Sequence, residues 1–265
     1  MSVTTLPSDD TSSKPTEDLT TSDVDYKIAS SREERAEAFR LVYQAYLRAG
    51  LGEPNEHGMR VTPYHLLPTT EVFVATCCED TIFTVTLVSD GELGLPMEAV
   101  YASEVERLRA RGLRIAEVSC LADRRSEFRR CFPVFLRLCR FTAQYAWRIG
   151  LEQLLVAVHP KHARFYKRFM DFEPIGELRS YPSVRNRPAV AMMLDMARLH
   201  RDRPESFYKL FAPVIDHNHL KPQPITHSQS KYFSPLVDYS FNCAPIGNVN
   251  NSEQNTSVDT LATTV

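Results

Sequence analysis

Residues 153–178 read "QLLVAVHPKHARFYKRFMDFEPIGEL", and residues 114–125 read "RIAEVSCLADRR". The apolar run Leu154–Val158 has the pattern of a strand covered on both faces, and it ends on a polar corner, His159 and Pro160. The spacing predicts a helix over 163–170 that puts Ala163, Tyr166 and Met170 on one face, followed by an Asp-Phe stop at 171–172. "RIAEVSCLAD" reads as an earlier strand. Between the two strands, Pro133 suits the first turn of a helix running to Ile149 and stopped by Gly150. With "PAVAMMLDM" (188–196) as a last strand, the alternation of strand and helix predicts an α/β chain. Its sheet is mixed, partly parallel, with helices on its faces.

Working outward, "YKIA" (26–29) is a short strand, Ser31 an N-cap and Glu34 its capping-box partner. Phe39, Val42, Tyr43, Tyr46 and Leu47 recur at helical spacing, and Gly50 can end that helix in a left-handed turn. A loop rich in Pro, Gly and His follows, to about Thr70. "EVFVATCCED" and "TIFTVTLVSD" form an antiparallel hairpin about an acidic turn. "EAVYASEVERLRARG" is an amphipathic helix ending at Gly112. The order expected is β-α-β-β-α-β-α-β-α-β. Residues 1–24 and 244–265 are too poor in large apolar side chains to offset the entropy of ordering, so both are expected to be disordered tails. Residues 25–200 form the domain. Residues 201–243, aromatic but broken by Pro, form an extension expected to pack on it as one helix and irregular chain.

Composition narrows the class. The chain has 265 residues, 43% hydrophobic and 24% charged, enough for a sizeable core. A formal net charge of -2 gives no reason to expect nucleic acid as a partner. No apolar run approaches the roughly 20 residues of a membrane span, and the N-terminus lacks the basic start and apolar centre of a secretory signal. Six cysteines without a C-x-x-C pair read as buried thiols in a reducing compartment, hence a cytoplasmic location. No His pair at helical spacing points to a metal, and no G-x-S-x-G elbow points to a serine hydrolase.

Strand alternation places Ile115, Glu117, Ser119 and Leu121 on one face and Ala116, Val118, Cys120 and Ala122 on the other. A carboxylate among apolar neighbours is costly unless paired, hydrogen-bonded or protonated. Glu117 is thus either half of a buried ion pair with Arg124, Arg125, Arg129 or Arg130, or a general base whose pKa is set by its surroundings. The turn "DRRSEFRR" (123–130) is either a solvated basic turn or a cradle for a phosphate or an acidic partner at a helix N-terminus. It has no glycine, so it is neither a Walker loop nor a dinucleotide fingerprint. Tyr166 is either packing or, at a cleft mouth, a proton donor to a leaving thiolate.

"RIAEVSCLAD", the basic turn and long helix, and "QLLVAVHPKHARFYKRFMDFEPIG" together resemble the GNAT superfamily of N-acyltransferases. The stretch 81–123, "V-x-P-K-H-x-x-F-Y" and "Y-P-S-V-x-x-x-P-A-V" are similar to the FeeM-like long-chain N-acyl amino acid synthases, relatives of the acyl-homoserine lactone synthases. The resemblance covers residues 25 to 197. It implies the GNAT fold, with two parallel strands, 115–122 and 153–158, splayed to admit a pantetheine arm. It implies an N-acyltransferase that moves a long acyl chain from acyl carrier protein to the amine of an amino acid. No cofactor is tightly bound, and an acyl-phosphopantetheine thioester serves as co-substrate. On the same footing Glu117, Tyr166 and Ser119 are the catalytic candidates. Val118, Cys120, Leu121, Arg124, Arg125, Arg129, Arg130 and His159 would bind the donor. Cys120 stands where the lactone synthases carry a characteristic Arg, which weighs against lactone production. "RSEFRR" replaces the glycine-rich pyrophosphate loop of acetyl-CoA users, which favours a carrier protein over coenzyme A. The rivals are an acetyl-CoA-dependent acetyltransferase and a non-catalytic acyl-carrier or lipid-binding module.

Overall fold

The computed structural model describes residues 24–124 and 128–239, and the side chains of 128–131 lie outside that description. Strands β1 (Asp25–Ile28), β2 (Thr70–Cys77), β3 (Asp80–Ser89), β4 (Ile115–Asp123), β5 (Gln153–Val158), β6 (Glu173–Pro174), β7 (Arg179–Tyr181) and β8 (Arg187–Asp195) build one mixed sheet. Its order is β1-β2-β3-β4-β5-β8-β6, with β7 on β8. Among the described pairs only β4 and β5 are parallel; every other pair is antiparallel.

Helices α1 (Arg32–Arg48), α2 (Glu98–Arg109), α3 (Phe128–Arg148), α4 (Pro160–Met170), α5 (Met196–Asp202), α6 (Glu205–Phe211) and α7 (His227–Phe233) cover it. One face packs on α3, α4 and α6 through Phe73, Val85, Leu87, Phe135, Leu138 and Phe141. The other meets α1 and the C-terminal segment through Val72, Val74, Phe39 and Phe233. On that same side α2 packs through Val88, Tyr101, Val105 and Ile115.

Local signals account for most boundaries. Ser31 and Glu34 form the capping box of α1, and Gly50 takes φ +65 beyond its end. Cys78 and Glu79 both take positive φ in the β2–β3 turn, the requirement of a two-residue hairpin turn. Helix α3 begins at Phe128, so Pro133 lies within the helix and not in its first turn. Helix α4 begins at Pro160 rather than Ala163, because His159 is its N-cap: Nδ1 accepts from Lys161 N–H at 3.2 Å. Strands β6 and β7 were not expected; two or three residues are too few to show a period of 2. Cys77 is buried as expected, but Cys78, at the turn, is exposed. Beyond β8 the chain forms α5, α6 and α7, more helix than the proline-broken sequence suggested. Of the two expected tails, 1–23 and 244–265 lie outside the described residues, while Val24 is buried.

Candidate active site

Two departures from regular pairing open the sheet. Strands β4 and β5 pair only over Ile115–Gln153, Ala116–Leu154 and Glu117–Leu155. Past Glu117 they part. On its other edge β4 bulges: Ser119 faces Thr86 and Ala122 faces Thr84, so Cys120 and Leu121 together oppose Val85. Cys120 carries the bulge at φ +51, a left-handed conformation that costs a non-glycine residue about 1 kcal/mol or more.

The bulge corrects the face assignment made from simple alternation. Cys120 and Ala122, not Leu121, fall on the face of Glu117, where they pack with Leu41 and Val42 of α1. Leu121 turns to the α3 face, beside Phe135 and Cys139, and is 36% exposed. One extra residue inverts the alternation beyond it.

A cavity of about 670 Å³ fills the opening and reaches both faces of the sheet. Glu117, Ser119, Tyr46, Arg60, Tyr64, His65 and Tyr181 line it on the α1–α2 face. Val118, Phe83, Phe135, Phe165 and Tyr166 line it toward α3 and α4, with His159, Lys161 and His162 also contributing. A smaller cavity of about 40 Å³, walled by Val118, Leu121, Phe135, Cys139, Val156 and Tyr166, lies on the α3 side.

Glu117 is 2% exposed, and its Oε2 accepts from the Met97 N–H at 2.7 Å. Burial pushes its pKa up to about 8; the Met97 amide opposes the shift, and nearby Glu98 adds to it. Arg124, one of the partners considered for a buried ion pair, instead reaches Asp80 at 2.7 Å with half its side chain exposed. Arg125, Arg129 and Arg130 have side chains outside the described residues. Tyr166 packs edge-on against Phe165 and Phe172, and burial raises its phenol, with smaller contributions from Cys139 and Tyr46. Burial also raises the Cys120 thiol, which disfavours the thiolate. His159 is exposed, so it both caps α4 and borders the cavity.

Arg60, His65, Tyr46 and Tyr181 are among the lining residues that were not singled out as site residues from the sequence. Arg60 crosses the Tyr46 ring at 4.7 Å and donates from Nη2 to the Ser183 carbonyl at 2.9 Å. His65 is buried, and its Nδ1 accepts from the Thr62 N–H at 2.9 Å. Burial first, then Arg60 and Arg35, bring its pKa down to about 3, so the ring is neutral. Tyr46 was read only as part of a helical stripe, and Tyr181 sits on β7. The available signal was "RVTPYH", polar and aromatic residues concentrated in a loop of no regular period.

A sheet parted between two parallel strands, with a buried carboxyl on one face of the opening and a tyrosine on the other, defines an N-acyltransferase of the GNAT type. The chain belongs to the FeeM family of N-acyl amino acid synthases, whose family model matches residues 37–195. It is similar to the solved structure of FeeM, an N-acyl amino acid synthase from uncultured soil microbes. That match has 26% identity and a TM-score of 0.57, and covers 67% of this chain and 93% of that one. A second likeness is to the acyl-homoserine lactone synthase LasI, at 14% identity and a TM-score of 0.54, covering 73% of this chain and 96% of that one. At that identity it shows the fold alone. No curated protein matches the sequence. Among the described residues no helix is long and apolar enough to cross a membrane.

Proposed function

We infer that this acyltransferase moves a long acyl chain from the phosphopantetheine thioester of an acyl carrier protein to the α-amine of an amino acid. The observation that carries the reading is the single cavity joining Glu117 to Tyr166 through the gap past Glu117–Leu155. The thioester lies in the gap. Glu117, ionised, takes a proton from the incoming ammonium, directly or through a water. Glu117 passes that proton to solvent. The free amine attacks the thioester carbonyl, and its nitrogen sheds a second proton to Glu117 as the amide forms. Tyr166 protonates the sulfur as the carbon–sulfur bond breaks and regains its proton from water. The products are one amide and one free thiol. Backbone of β4 beyond Glu117, freed from β5, supplies donors toward the developing oxyanion. Ser119, on the Glu117 face, lines the acceptor side.

A base near pKa 8 suits an amine acceptor, because proton transfer is most effective when the base titrates near the working pH. On the α3 side the apolar cavities beside Val118, Phe135 and Val156 suit an alkyl chain. The amino-acid acceptor follows from the family; its carboxylate meets Arg60, a cation in the wall on the Glu117 side. The glycine-free turn at 125–130 supports a carrier protein as donor, and so does α4. Its Lys161, Arg164, Lys167 and Arg168 are exposed and, among the described residues, enter no ion pair. Exposed cations of one sign steer an acidic partner. Turnover compared across long-chain acyl carrier protein, long-chain acyl-CoA and acetyl-CoA tests the reading. The long-chain carrier should be the best donor, and equal or faster turnover with acetyl-CoA would overturn it.

A further inference from the structure

The family match ends at residue 195, yet the chain beyond it returns to the cavity. Residues 223–238 run along the α1 side and attach to the body at several points. Gln223 bridges two buried charged groups: its carbonyl accepts from the Arg35 guanidinium, and its N–H donates to Glu71 Oε1 at 3.0 Å. Gln229, which completes the capping box of α7, donates from Nε2 to the Ser30 carbonyl at 2.8 Å.

The last attachments fall on the cavity wall itself. Phe233 is fully buried and meets Phe39 edge-on at 5.1 Å, and Phe39 lies 4.4 Å from the His65 ring. Val237 forms a parallel bridge with Val61, and the Asp238 N–H donates to the Val61 carbonyl at 2.9 Å. On its inner side the same loop is held by the Arg60 N–H donating to the Phe39 carbonyl at 3.1 Å. Loop 59–66 is therefore clamped between α1 and the C-terminal segment. Arg60, Thr62, Tyr64 and His65 project from it into the cavity on the Glu117 side.

We propose that the C-terminal segment, through Phe233 and the Val61–Asp238 contact, is a positioning element for the acceptor wall of the active site. It sets the placement of Arg60 and His65 and so governs binding of the amino-acid acceptor, while the donor side is left to β4, β5 and α4. The acceptor assignment rests on the function proposed above; the coupling of segment to loop does not.

The test uses the full chain with Phe233→Ala, Phe233→Leu and Asp238→Pro. Val237 already has φ −69 and ψ 129, a backbone that precedes proline without strain, so Asp238→Pro removes the N–H that bonds Val61, together with the Asp238 side chain. It carries the test if Phe233→Ala fails to fold. Hydrogen exchange of the 59–66 amides should quicken about tenfold or more in Phe233→Ala and Asp238→Pro, with β4 amides 115–117 unchanged. Steady-state assays should show KM for the amino acid raised about tenfold and KM for the acyl donor within about twofold, with Phe233→Leu intermediate. Wild-type exchange at 59–66 in both variants would overturn the proposal, as would equal shifts in both KM values. A wild type that forms no amide would refute the proposed function, while the exchange result still decides whether the segment holds the loop.

Discussion

Glu117 is a carboxyl whose burial and function pull in opposite directions. In the folded chain its pKa is about 8, against an ordinary 4.5. Between those values the folded state holds a proton that the unfolded chain has released, so this group's contribution to stability falls as pH rises from about 4.5 to 8. The change is on the order of 5 kcal/mol as an upper bound, at 1.36 kcal/mol per unit. Glu117→Gln keeps an acceptor for the Met97 amide and cannot ionise. Urea unfolding from pH 5 to pH 9 should show the wild type losing stability relative to Glu117→Gln; parallel curves would contradict the buried, unpaired carboxyl. On the rate, wild-type kcat/KM should climb about tenfold per pH unit up to roughly pH 8, and the variant should lose about 10²-fold at pH 8. Tyr166→Phe should slow transfer from the carrier thioester but recover most of the loss with an aryl thioester, whose leaving thiolate needs no proton. An equal deficit with both donors would remove Tyr166 from the proton-donor role.

At the scale of the element, strand β4 depends on one residue in an unusual conformation. Cys120 at φ +51 turns the strand and reverses which side chains face the cavity. Glycine adopts that backbone without penalty and a β-branched residue does so poorly. Cys120→Gly should therefore keep the fold and most activity, whereas Cys120→Val should cost about 1–3 kcal/mol in unfolding free energy and reduce turnover. Equal stability of the two variants would show that the bulge is not strained. The bulge also marks where the sequence ceases to be legible. Glu117 reads directly as a polar residue in an apolar strand, and QLLVAV reads as a strand buried on both faces. Nothing in "SCLAD" announces a left-handed cysteine, so Cys120, Leu121 and Ala122 were placed on the wrong faces. Likewise His159 looks like a chemical residue beside its proline, and its cap hydrogen bond becomes visible only once Pro160 starts the helix. The loop 59–66 carries no period at all, and its cavity position depends on contacts with residues far along the chain.

For the whole molecule, the sheet brings together three stretches distant in sequence: β4 with its carboxyl, α4 with its tyrosine, and loop 59–66 with its cation. The order of elements was readable because each has its own cap or period; their convergence follows from the antiparallel return of β8 on β5 and from the C-terminal segment. The exposed cations of α4 face outward beside the opening. Charge reversal at Lys167 and Arg168 together should raise KM for acyl carrier protein several-fold at low salt, with a smaller effect at high salt and little change for a free pantetheine thioester. Unchanged carrier KM at low salt would move the docking surface elsewhere. The central claim is acyl transfer to an amine through the opening between β4 and β5. Its most direct test is mass spectrometry of the purified full chain incubated with long-chain acyl carrier protein and a mixture of amino acids. The account predicts one N-acyl amino acid formed for each carrier thiol released, with both slowed about 10²-fold in Glu117→Gln. Thiol release without amide, or no loss of acyl carrier protein at all, would contradict it.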